Sequence, residues 1–371
     1  MKILFICAIY HEALLFRDLL DSIENQSNNE IFVFNGVEQG TVVKDKFKSI
    51  IDEKVFYTEC FSKLDSKLYF PKRWKLTKTL SENIDVSKFD FIHAHSLMNN
   101  GYVAYKISKK YPIKYTVCVR NTDINRHMKI PFLRGIANKI IENASGVIFL
   151  SKPYQDYYVE HYIQNSKKVD FLQKSAVITN GVEQFWIDNK ADEIRAIHDG
   201  LIKLIFVGRI DKNKNVPLIL DACDELIQRG MDISLTVVGE ATDAEEVNKL
   251  KKKSYVTIKD FMSKENLIAE YRSNNIFVMP SKTETFGRVY LEAMSQGLPV
   301  IYTRGQGFDG QFEEGVIGYS VDSSNSIELA DRVQLVFDDY KAISKRALES
   351  IDQYAWSEIG KQTIEFYKKV L

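Results

Sequence analysis

Short apolar runs alternate with amphipathic segments along most of this 371-residue chain. In the first half, apolar runs predict buried strands at residues 2–8, 31–35, 89–94, 113–119, 146–150 and 176–178. Helical periodicity marks segments between them, at residues 13–24, 102–110, 132–142 and 153–162. Because strands alternate with helices, the pattern predicts a doubly wound α/β domain with a parallel sheet.

The alternation stops at Asn180-Gly181, a turn signal that is followed by a polar stretch up to Gly200. We interpret this stretch as an interdomain linker. A second α/β pattern follows, with predicted strands at residues 201–207, 233–238, 255–259, 276–279 and 299–302. Its predicted helices lie at residues 216–229, 244–252, 264–271, 288–296 and 327–347. The pattern therefore predicts a first domain over residues 1–185, a second over 186–352 and a closing helical segment over 353–371.

The composition is that of a globular protein, with 45% hydrophobic and 27% charged residues. The four cysteines have no metal-ligand spacing and indicate no disulfide framework, so we expect a reducing compartment. No apolar run approaches the roughly 18 residues of a membrane span. We therefore expect a cytoplasmic protein whose contact with the inner face of the cell membrane is at most peripheral.

The two halves of the chain differ in charge although the formal net charge is zero. Residues 1–180 contain 26 Lys and Arg against 19 Asp and Glu, a balance of +7, and the remaining 24 and 31 give −7. This asymmetry indicates two domains that meet different partners. We expect no nucleic-acid partner.

Basic residues are concentrated between residues 41 and 80, where ten Lys and Arg face five acids. Aromatic and leucine side chains lie between these charges, among them Phe61, Phe70 and Trp74. Such a mixture suits the surface of an anionic bilayer. The alternative is a solvated basic face over an ordinary core, and the sequence does not decide between the two.

Two glutamates mark the strand, loop and helix that span residues 276–302. Glu284 lies in the predicted loop, and Glu292 lies in an apolar helix whose burial would require a partner for the carboxylate. The amides at the helix start, near Gly287, form an anion site. A ligand with a phosphate there and hydroxyls on either side, such as a nucleotide sugar, would suit all three features. The alternative is a surface helix with both glutamates in solvent.

This stretch, S-x-x-E-x-F-G-x-x-x-x-E-A-M-x-x-G-x-P-V-I from Ser281 to Ile301, resembles the signature of glycosyltransferase family 4. The resemblance implies retaining enzymes of the GT-B fold, in which two Rossmann-like doubly wound domains face each other across a cleft. In such enzymes the final helix, here residues 353–371, crosses back to the first domain. It also implies that Glu284 contacts the donor sugar and that Glu292 holds the ribose. Residues of the helix start would complete the donor site, namely Thr285, Phe286 and Gly287.

A second motif follows the first strand of the second domain. Gly208 and Arg209 end this strand and Lys214 comes shortly after, where a parallel sheet collects ligands. Basic residues there would hold a diphosphate and stabilise it as it leaves, although lysines near a helix start are often merely solvated. The motif resembles the family's G-R-x-x-x-x-K. The resemblance also assigns Asp260-Phe261-Met262 to the nucleobase pocket, with Phe261 either in the core or on the base.

Motifs of the first half are looser. His93 and His95 lie on one face at the end of a strand, where they are structural residues, metal ligands without an evident third partner, or catalytic groups. The segment resembles the family's D-x-x-H-x-H, which implies that His95 lies by the reactive centre. The segment over residues 116–125 resembles a family segment that ends in H-G-x-D. Asp123 matches the aspartate of that motif, but Arg120 stands in place of its histidine. Arg120 either meets an anionic acceptor or pairs with Asp123.

The first loop departs from the family pattern, since Tyr10-His11-Glu12 replaces the frequent glycine pair. Either this loop approaches the donor diphosphate less closely, or His11 and Glu12 face the acceptor. We place His11 on the acceptor side with Arg120 and Asp123. The resemblance is specific over about residues 201–325 and looser before them.

The resemblance implies a retaining, hexosyltransferase-type enzyme of bacterial-type cell-surface polysaccharide synthesis. It would move a sugar from a nucleotide diphosphate donor to a glycan or polyprenyl-linked acceptor, with His95, Glu284, Arg209 and Lys214 as its catalytic residues. We expect neither cofactor nor metal, since basic residues replace the cation in such enzymes and no Asp-x-Asp pair is placed to hold one. The alternatives are a nucleotide-sugar epimerase of related fold and a non-catalytic binding subunit.

Overall fold

The protein is described by a computed structural model that covers residues 1–12, 14–26, 28–42, 51–197 and 200–371. The chain divides into two compact units. The first unit contains residues 1–150, 154–181 and 356–371, and the second contains residues 151–153 and 182–355. These limits lie a few residues from the predicted domain boundaries.

The described residues of the first unit form a seven-stranded parallel sheet. Its strands are β1 (Lys2–Ile6), β2 (Glu30–Glu38), β3 (Val55–Phe61), β4 (Phe91–Ala94), β5 (Lys114–Val119), β6 (Gly146–Phe149) and β7 (Ser175–Val177). Their order in space is β3-β2-β1-β4-β5-β6-β7. The apolar pattern missed β3, because this edge strand is largely half-exposed and buries only Cys60 and Phe61.

Helices connect these strands. They are α1 (Leu14–Asn25), α2 (Lys63–Lys67), α3 (Tyr69–Asn83), α4 (Asn100–Lys110), α5 (Pro131–Asn143), α6 (Lys152–Tyr162) and α7 (Lys168–Gln173). The basic and aromatic segment thus contains two helices that the pattern did not predict. Ser62 starts α2 with a capping box, in which its hydroxyl accepts from the amide of Asp65 and the Asp65 carboxylate accepts from the amide of Ser62.

The second unit repeats the architecture with a six-stranded parallel sheet among its described residues. Its strands are β8 (Ile202–Val207), β9 (Ile233–Val238), β10 (Val256–Lys259), β11 (Ile276–Val278), β12 (Val300–Thr303) and β13 (Gly318–Val321), in the order β10-β9-β8-β11-β12-β13. Its helices are α8 (Gln184–Asp188), α9 (Val216–Gln228), α10 (Ala244–Lys251), α11 (Lys264–Ser273), α12 (Arg288–Ser295), α13 (Ser326–Asp338) and α14 (Tyr340–Glu349). The predicted helix over residues 327–347 is therefore two helices, which meet at Asp339.

The polar stretch after Gly181 is not a free linker, contrary to the prediction. Val182 forms a bridge with Ala355, and the side chains of Val182 and Trp186 are buried in the core of the second unit. Scattered apolar residues here contact a core that the local polar composition did not indicate.

The closing helix α15 (Trp356–Val370) belongs to the first unit and packs on α1. Gly360 permits this packing, since a Cβ there would lie 2.6 Å from the Ser22 hydroxyl oxygen. Phe366 and Tyr367 are buried against the sheet. Within the described ranges, no helix combines the length and the apolar character needed to cross a bilayer.

Candidate active site

The carboxyl ends of β8 and β9 approach each other through two glycines. A Cβ on Gly239 would lie only 2.0 Å from the carbonyl oxygen of Gly208, and Gly239 has a positive φ of 149°. Only glycine fits such a close approach of two backbones. The chain after β8 therefore leaves the sheet at an open edge, where Arg209 is exposed.

The turn after Arg209 fixes the position of Lys214. The Asp211 carboxylate accepts from the amides of Asn213 at 3.0 Å and Lys214 at 2.9 Å, and it lies 3.7 Å from the Arg209 guanidinium. Asn213 also joins this turn to the loop after β11, since its side chain donates to the carbonyl of Thr283 at 3.0 Å and accepts from the Thr283 hydroxyl at 2.7 Å. The two loops thus form one rigid edge of the sheet.

Lys214 and Glu284 form an ion pair in this edge, with 2.7 Å between Nζ and Oε2. Their side chains are only 18% and 14% exposed, so neither charge is well solvated. An ion pair of this kind contributes little net free energy to folding, but loss of one partner would leave the other charge poorly solvated and unpaired. The Glu284 backbone is held as well, because its amide donates to Gln306 at 3.0 Å and its carbonyl accepts from Gly307 at 3.1 Å.

The start of α12 presents main-chain amides beside Glu284. Gly287 is the N-cap residue with φ of 78°, and no side chain caps the helix. The first amides of the helix therefore lack intrahelical partners and can meet an anion. The Phe286 side chain is 1% exposed and packs on Phe308 and Tyr354, so only its main chain can take part in a donor site.

Glu292 lies one turn further along α12, with its side chain partly buried. Burial raises the pKa of Glu292 to about 7, although the Arg288 charge opposes this shift. The Tyr271 hydroxyl lies 3.4 Å from Oε2 of Glu292 and donates to it. Around neutral pH the carboxyl is therefore balanced between its two protonation states.

Charged residues that the sequence patterns did not indicate lie around Glu292. Glu183, in the supposed linker, contacts Lys264 and lies 3.8 Å from the Arg288 guanidinium. Its negative charge adds to the raised pKa of Glu292, whereas Lys264 lowers it. Three distant segments meet here, so no local motif could have shown the arrangement.

The two residues after Asp260 differ in their surroundings. Phe261 is 82% exposed, which excludes the core position that the sequence had left open. Met262 packs against the core of the second unit. Both follow the carboxyl end of β10, at the same edge of the sheet as Gly208 and Gly239.

In the first unit, His95 lies at the end of a buried polar cluster. Nδ1 of His95 is 3.3 Å from Nε2 of His93, whose Nδ1 is 3.0 Å from the Thr116 hydroxyl and 2.9 Å from the Tyr367 hydroxyl. Burial lowers the pKa of His93 to about 3, and burial together with the Arg120 charge lowers the pKa of His95 well below its ordinary value. Both rings are therefore neutral.

Cys118 supplies the third potential metal ligand that the sequence analysis had not found. Parallel pairing of β4 with β5 brings its Sγ 3.5 Å from Nε2 of His93, and the potential ligand atoms of His93, His95 and Cys118 lie within 4.8 Å of one another. Burial raises the pKa of the Cys118 thiol to about 11, so the sulfur is protonated in this structure.

Arg120 and Asp123 do not pair through their side chains. The buried Asp123 carboxylate accepts from the amides of Leu97 and Met98, both at 3.0 Å, and from the amide of Arg120 at 2.9 Å. The Arg120 guanidinium instead contacts His95, with Nε donating to the carbonyl at 3.1 Å and Nη2 to the ring Nε2. Asp123 therefore shapes the loop after His95, and Arg120 is attached to His95 itself.

Arg73 holds the same loop from the other side. It is 5% exposed and donates to the Met98 carbonyl at 2.7 Å and to the Asn99 side chain. Arg73 is one of the ten basic residues between residues 41 and 80, but it does not lie on the surface, because its side chain enters the interior from α3. His11, after β1, lies with its Nδ1 2.9 Å from the side-chain amide of Asn35.

We expect Glu292→Gln to stabilise the ligand-free protein above pH 7. Because the folded-state pKa of about 7 exceeds the ordinary 4.5, the folded state binds more protons between these values and its free energy of unfolding falls as pH rises. At pH 8 glutamine should raise the free energy of unfolding by on the order of 3 kcal/mol. Near pH 4.5 the difference should almost vanish. Urea unfolding across this pH range measures it.

The matched control is Glu365→Gln, which removes an exposed carboxylate. It should follow the parent protein at every pH. A stability difference for Glu292→Gln that does not change with pH would contradict the titration of this carboxyl.

Comparisons with known proteins point to a glycosyltransferase. The sequence profile described as glycosyl transferases group 1 matches residues 177–355, a range that contains Arg209, Lys214, Glu284 and Glu292. A D-inositol 3-phosphate glycosyltransferase of Pseudarthrobacter chlorophenolicus is 25% identical over 299 residues, which are 76% of this chain and 70% of that protein. An alpha-D-kanosaminyltransferase of Streptomyces kanamyceticus is 28% identical over 175 residues, 45% of each chain.

Solved structures of low sequence identity share the whole fold. The apo form of the lipopolysaccharide outer core galactosyltransferase WaaB has a TM-score of 0.77 at 18% identity and full coverage of both chains. Sucrose-phosphate synthase from Thermosynechococcus elongatus has a TM-score of 0.73 at 17% identity, with 100% and 99% coverage. This likeness shows that the chain has the GT-B fold, and the profile match makes residues 177–355 similar to the glycosyl transferases group 1 family.

Proposed function

We propose that this glycosyltransferase moves a sugar from a nucleotide diphosphate donor to an acceptor hydroxyl with retention of anomeric configuration. The observation that carries the proposal is the Lys214–Glu284 ion pair beside the uncapped start of α12. It places a cation, a carboxylate and free amides together, which is what a phosphorylated sugar requires.

Complexes of related folds support a nucleotide-sugar donor. Anabaena HepE, with a TM-score of 0.66, was solved in complex with UDP and glucose, and a trehalose-6-phosphate protein from E. coli, with a TM-score of 0.69, with UDP-2-fluoro glucose. The curated relatives include a transferase named for D-inositol 3-phosphate and one named for the kanosaminyl group. For this chain we propose a glycan or polyprenyl-linked acceptor, in keeping with cell-surface polysaccharide synthesis.

The second unit would bind the donor. Glu292 would accept hydrogen bonds from the ribose hydroxyls, and the amides around Gly287 would face the diphosphate. The nucleobase would lie near Met262, with the exposed Phe261 ring beside it. Gly208 and Gly239 keep this edge of the sheet open to the ligand.

The ion pair supplies a way to couple donor binding to sugar orientation. Without ligand, Lys214 and Glu284 neutralise each other. An incoming diphosphate competes for the lysine, and Arg209 adds a second, exposed cation. Glu284 is then released to accept hydrogen bonds from the sugar hydroxyls. Both cations would stabilise the charge that grows on the departing diphosphate, and we propose no metal in this step.

His95 of the first unit would lie at the reactive centre, with His11 and Arg120 on the acceptor side. Asp123 has a different position from the one expected, because three main-chain amides occupy its buried carboxylate. We therefore propose that Asp123 positions the loop after His95 and does not touch the acceptor.

Product analysis tests the function against its alternatives. Purified protein should be incubated with labelled UDP-, GDP- and ADP-sugars and with a set of glycan and polyprenyl-linked acceptors. Transfer of label to an acceptor with retained configuration is the expected result. Conversion of the free donor into an epimer would identify an epimerase, and nucleotide binding without turnover would identify a binding subunit.

We expect Glu292→Gln to weaken nucleotide binding even though it stabilises the ligand-free fold. Charge-assisted hydrogen bonds to a carboxylate are worth about 1.5–3 kcal/mol, so the dissociation constant should rise at least tenfold. Because the ribose favours the ionised carboxylate, affinity of the parent should also increase as pH rises through about 7. Calorimetry with the free nucleotide measures both effects. Unchanged affinity in a folded variant would remove Glu292 from the donor site.

We expect Lys214→Ala to lower kcat more than it lowers donor affinity. The diphosphate gains charge toward the transition state, so the loss should be about 100-fold in kcat, or nearly 3 kcal/mol. Lys212→Ala, which removes an exposed lysine two residues away, is the control and should retain most of the rate. A rise in KM at constant kcat would count against the leaving-group role.

We also propose that part of the basic segment over residues 41–80 contacts an anionic membrane. Three of its lysines, Lys44, Lys46 and Lys48, lie outside the described residues. Of the others, Arg73 is buried and Lys75 is paired with Asp65 at 2.6 Å, so neither is available to lipid.

The available surface consists of the outer faces of α2 and α3. Its exposed apolar side chains are Leu64, Leu68, Phe70 and Trp74, at 50–69% exposure. Its exposed lysines are Lys63, Lys67 and Lys78. Four large apolar residues in contact with solvent between lysines are costly for a solvated face and suit the boundary between headgroups and acyl chains.

Reversal of Lys63, Lys67 and Lys78 to glutamate should lower binding to vesicles of anionic lipid at least tenfold. Each lysine near such a surface contributes roughly 1 kcal/mol. Vesicle sedimentation at two salt concentrations measures the effect, which should weaken with salt. Reversal of Lys251, Lys341 and Lys345, three exposed lysines of the second unit, is the control and should leave binding unchanged. Equal amounts of protein in the pellet with neutral and with anionic vesicles would contradict the proposal.

A further inference from the structure

The polar side chains behind His95 form a directional chain of hydrogen bonds. A guanidinium group can only donate, so Nη2 of Arg120 donates to Nε2 of His95. The neutral His95 ring must then carry its proton on Nδ1, which faces Nε2 of His93 at 3.3 Å. His93 in turn carries its proton on Nδ1 and donates to the hydroxyl of Thr116 or Tyr367, at 3.0 and 2.9 Å.

This order of donors argues against a metal at His93, His95 and Cys118. A metal needs a lone pair from each ligand, but Nδ1 of His95 directs an N–H bond into the cluster. The opposite tautomer would place a proton on Nε2, against a donating arginine. As long as Arg120 keeps its contact, the cluster is therefore a hydrogen-bonded support for His95.

The same chain determines which group the first unit presents to a substrate. Nε2 of His95, the atom that would receive a proton from a hydroxyl, is occupied by Arg120. The guanidinium is itself fixed by a second bond, from Nε to the His95 carbonyl at 3.1 Å. Its third nitrogen, Nη1, makes no hydrogen bond with any residue that the structure describes. The group at this position is therefore an oriented cation with one free donor edge.

The charge of Arg120 has no counter-ion in hydrogen-bond contact among the described residues. Asp123 is the nearest candidate by sequence, but its two oxygens accept from three main-chain amides. The Phe16 ring, 5.9 Å from the guanidinium carbon, adds a weak attraction at most. A partly buried guanidinium held in one orientation, with a free N–H edge, is suited to a phosphate or carboxylate.

We propose that Arg120 binds an anionic oxygen group, phosphate or carboxylate, of the acceptor substrate. The buried chain through His95, His93 and Tyr367 acts as its positioning support, and the closing helix α15 contributes the last member. The assignment to the acceptor rests on the proposed function, in which the first unit receives that substrate. The anion site itself does not depend on nucleotide binding by the second unit.

NMR resonances of the histidine nitrogens test both the contact between Arg120 and His95 and the binding of an anion. Protein labelled with ¹⁵N-histidine would be titrated with sodium phosphate or sodium acetate at constant ionic strength set by chloride. Its His95 signals would be assigned by comparison with His95→Gln. The ligand-free protein should show His95 protonated on Nδ1. Phosphate or acetate should cause a saturable shift of Nε2, and the anion with the lower dissociation constant indicates the class of acceptor group.

Arg120→Gln should abolish the saturable shift and should allow His95 to carry its proton on either ring nitrogen. Arg120→Lys should keep a weaker anion effect without the Nε2 contact. The matched control is Arg126→Gln, which removes an exposed arginine six residues further along the chain and should retain the shift. Calorimetry with nucleotide on each variant reports separately on the second unit, so failure of donor binding and failure of the anion site are distinguishable.

Two results would overturn the proposal. The first is an Nε2-protonated His95 in the ligand-free parent protein, which would mean that Arg120 does not donate to it. The second is the absence of a saturable response to either anion up to tens of millimolar, or a response that survives in Arg120→Gln.

Discussion

Lys214 and Glu284 are 70 positions apart in the chain, yet their 2.7 Å contact organises the open edge of the second sheet. Such a pair persists in a poorly solvated place only when the backbone around it is held. Asp211 caps the turn of the lysine, Asn213 joins this turn to Thr283, and Gln306 supports the glutamate. The rest of the proposed donor site depends on these contacts, because they set where the uncapped end of α12 faces.

Glu292 is the second partly buried glutamate of this region, and its charge is handled differently from that of Glu284. Among the described residues no ion pair includes Glu292, and burial is the main cause of its raised pKa. A residue that destabilises the empty fold but favours the bound state is typical of a functional site. The nearby Glu183 makes the position more costly, while Lys264 and Arg288 limit that cost.

In the first unit, some charged residues support the structure, whereas another is placed to bind a partner. Asp123 and Arg73 clamp the loop after His95 from two sides, through main-chain amides and carbonyls. Every bond that they make is internal, so they explain the shape of the loop. Arg120 differs because one edge of its guanidinium is left for a partner. Burial alone therefore does not distinguish functional from structural charges, whereas the inventory of their hydrogen bonds does.

The sequence by itself determined the α/β alternation, the parallel sheets and the motif positions of Glu284, Glu292, Arg209 and Lys214. These features are local, since strand and helix periodicity and turn residues act over a few positions. It missed β3 and the two helices after it, because an edge strand and an amphipathic surface segment bury too little apolar surface to give a clear pattern. It also did not indicate that Arg73 is buried, because its type and neighbours are those of a surface residue.

Only the tertiary structure decided which side chains meet. Strand pairing brought Cys118 to His93, the closing helix added Tyr367, and the supposed linker supplied Glu183 to the surroundings of Glu292. The protonation state of Glu292 and the tautomer of His95 follow from these contacts. The physical reason is that desolvation and hydrogen-bond direction depend on neighbours in space, which residues remote in the chain provide and no local pattern records.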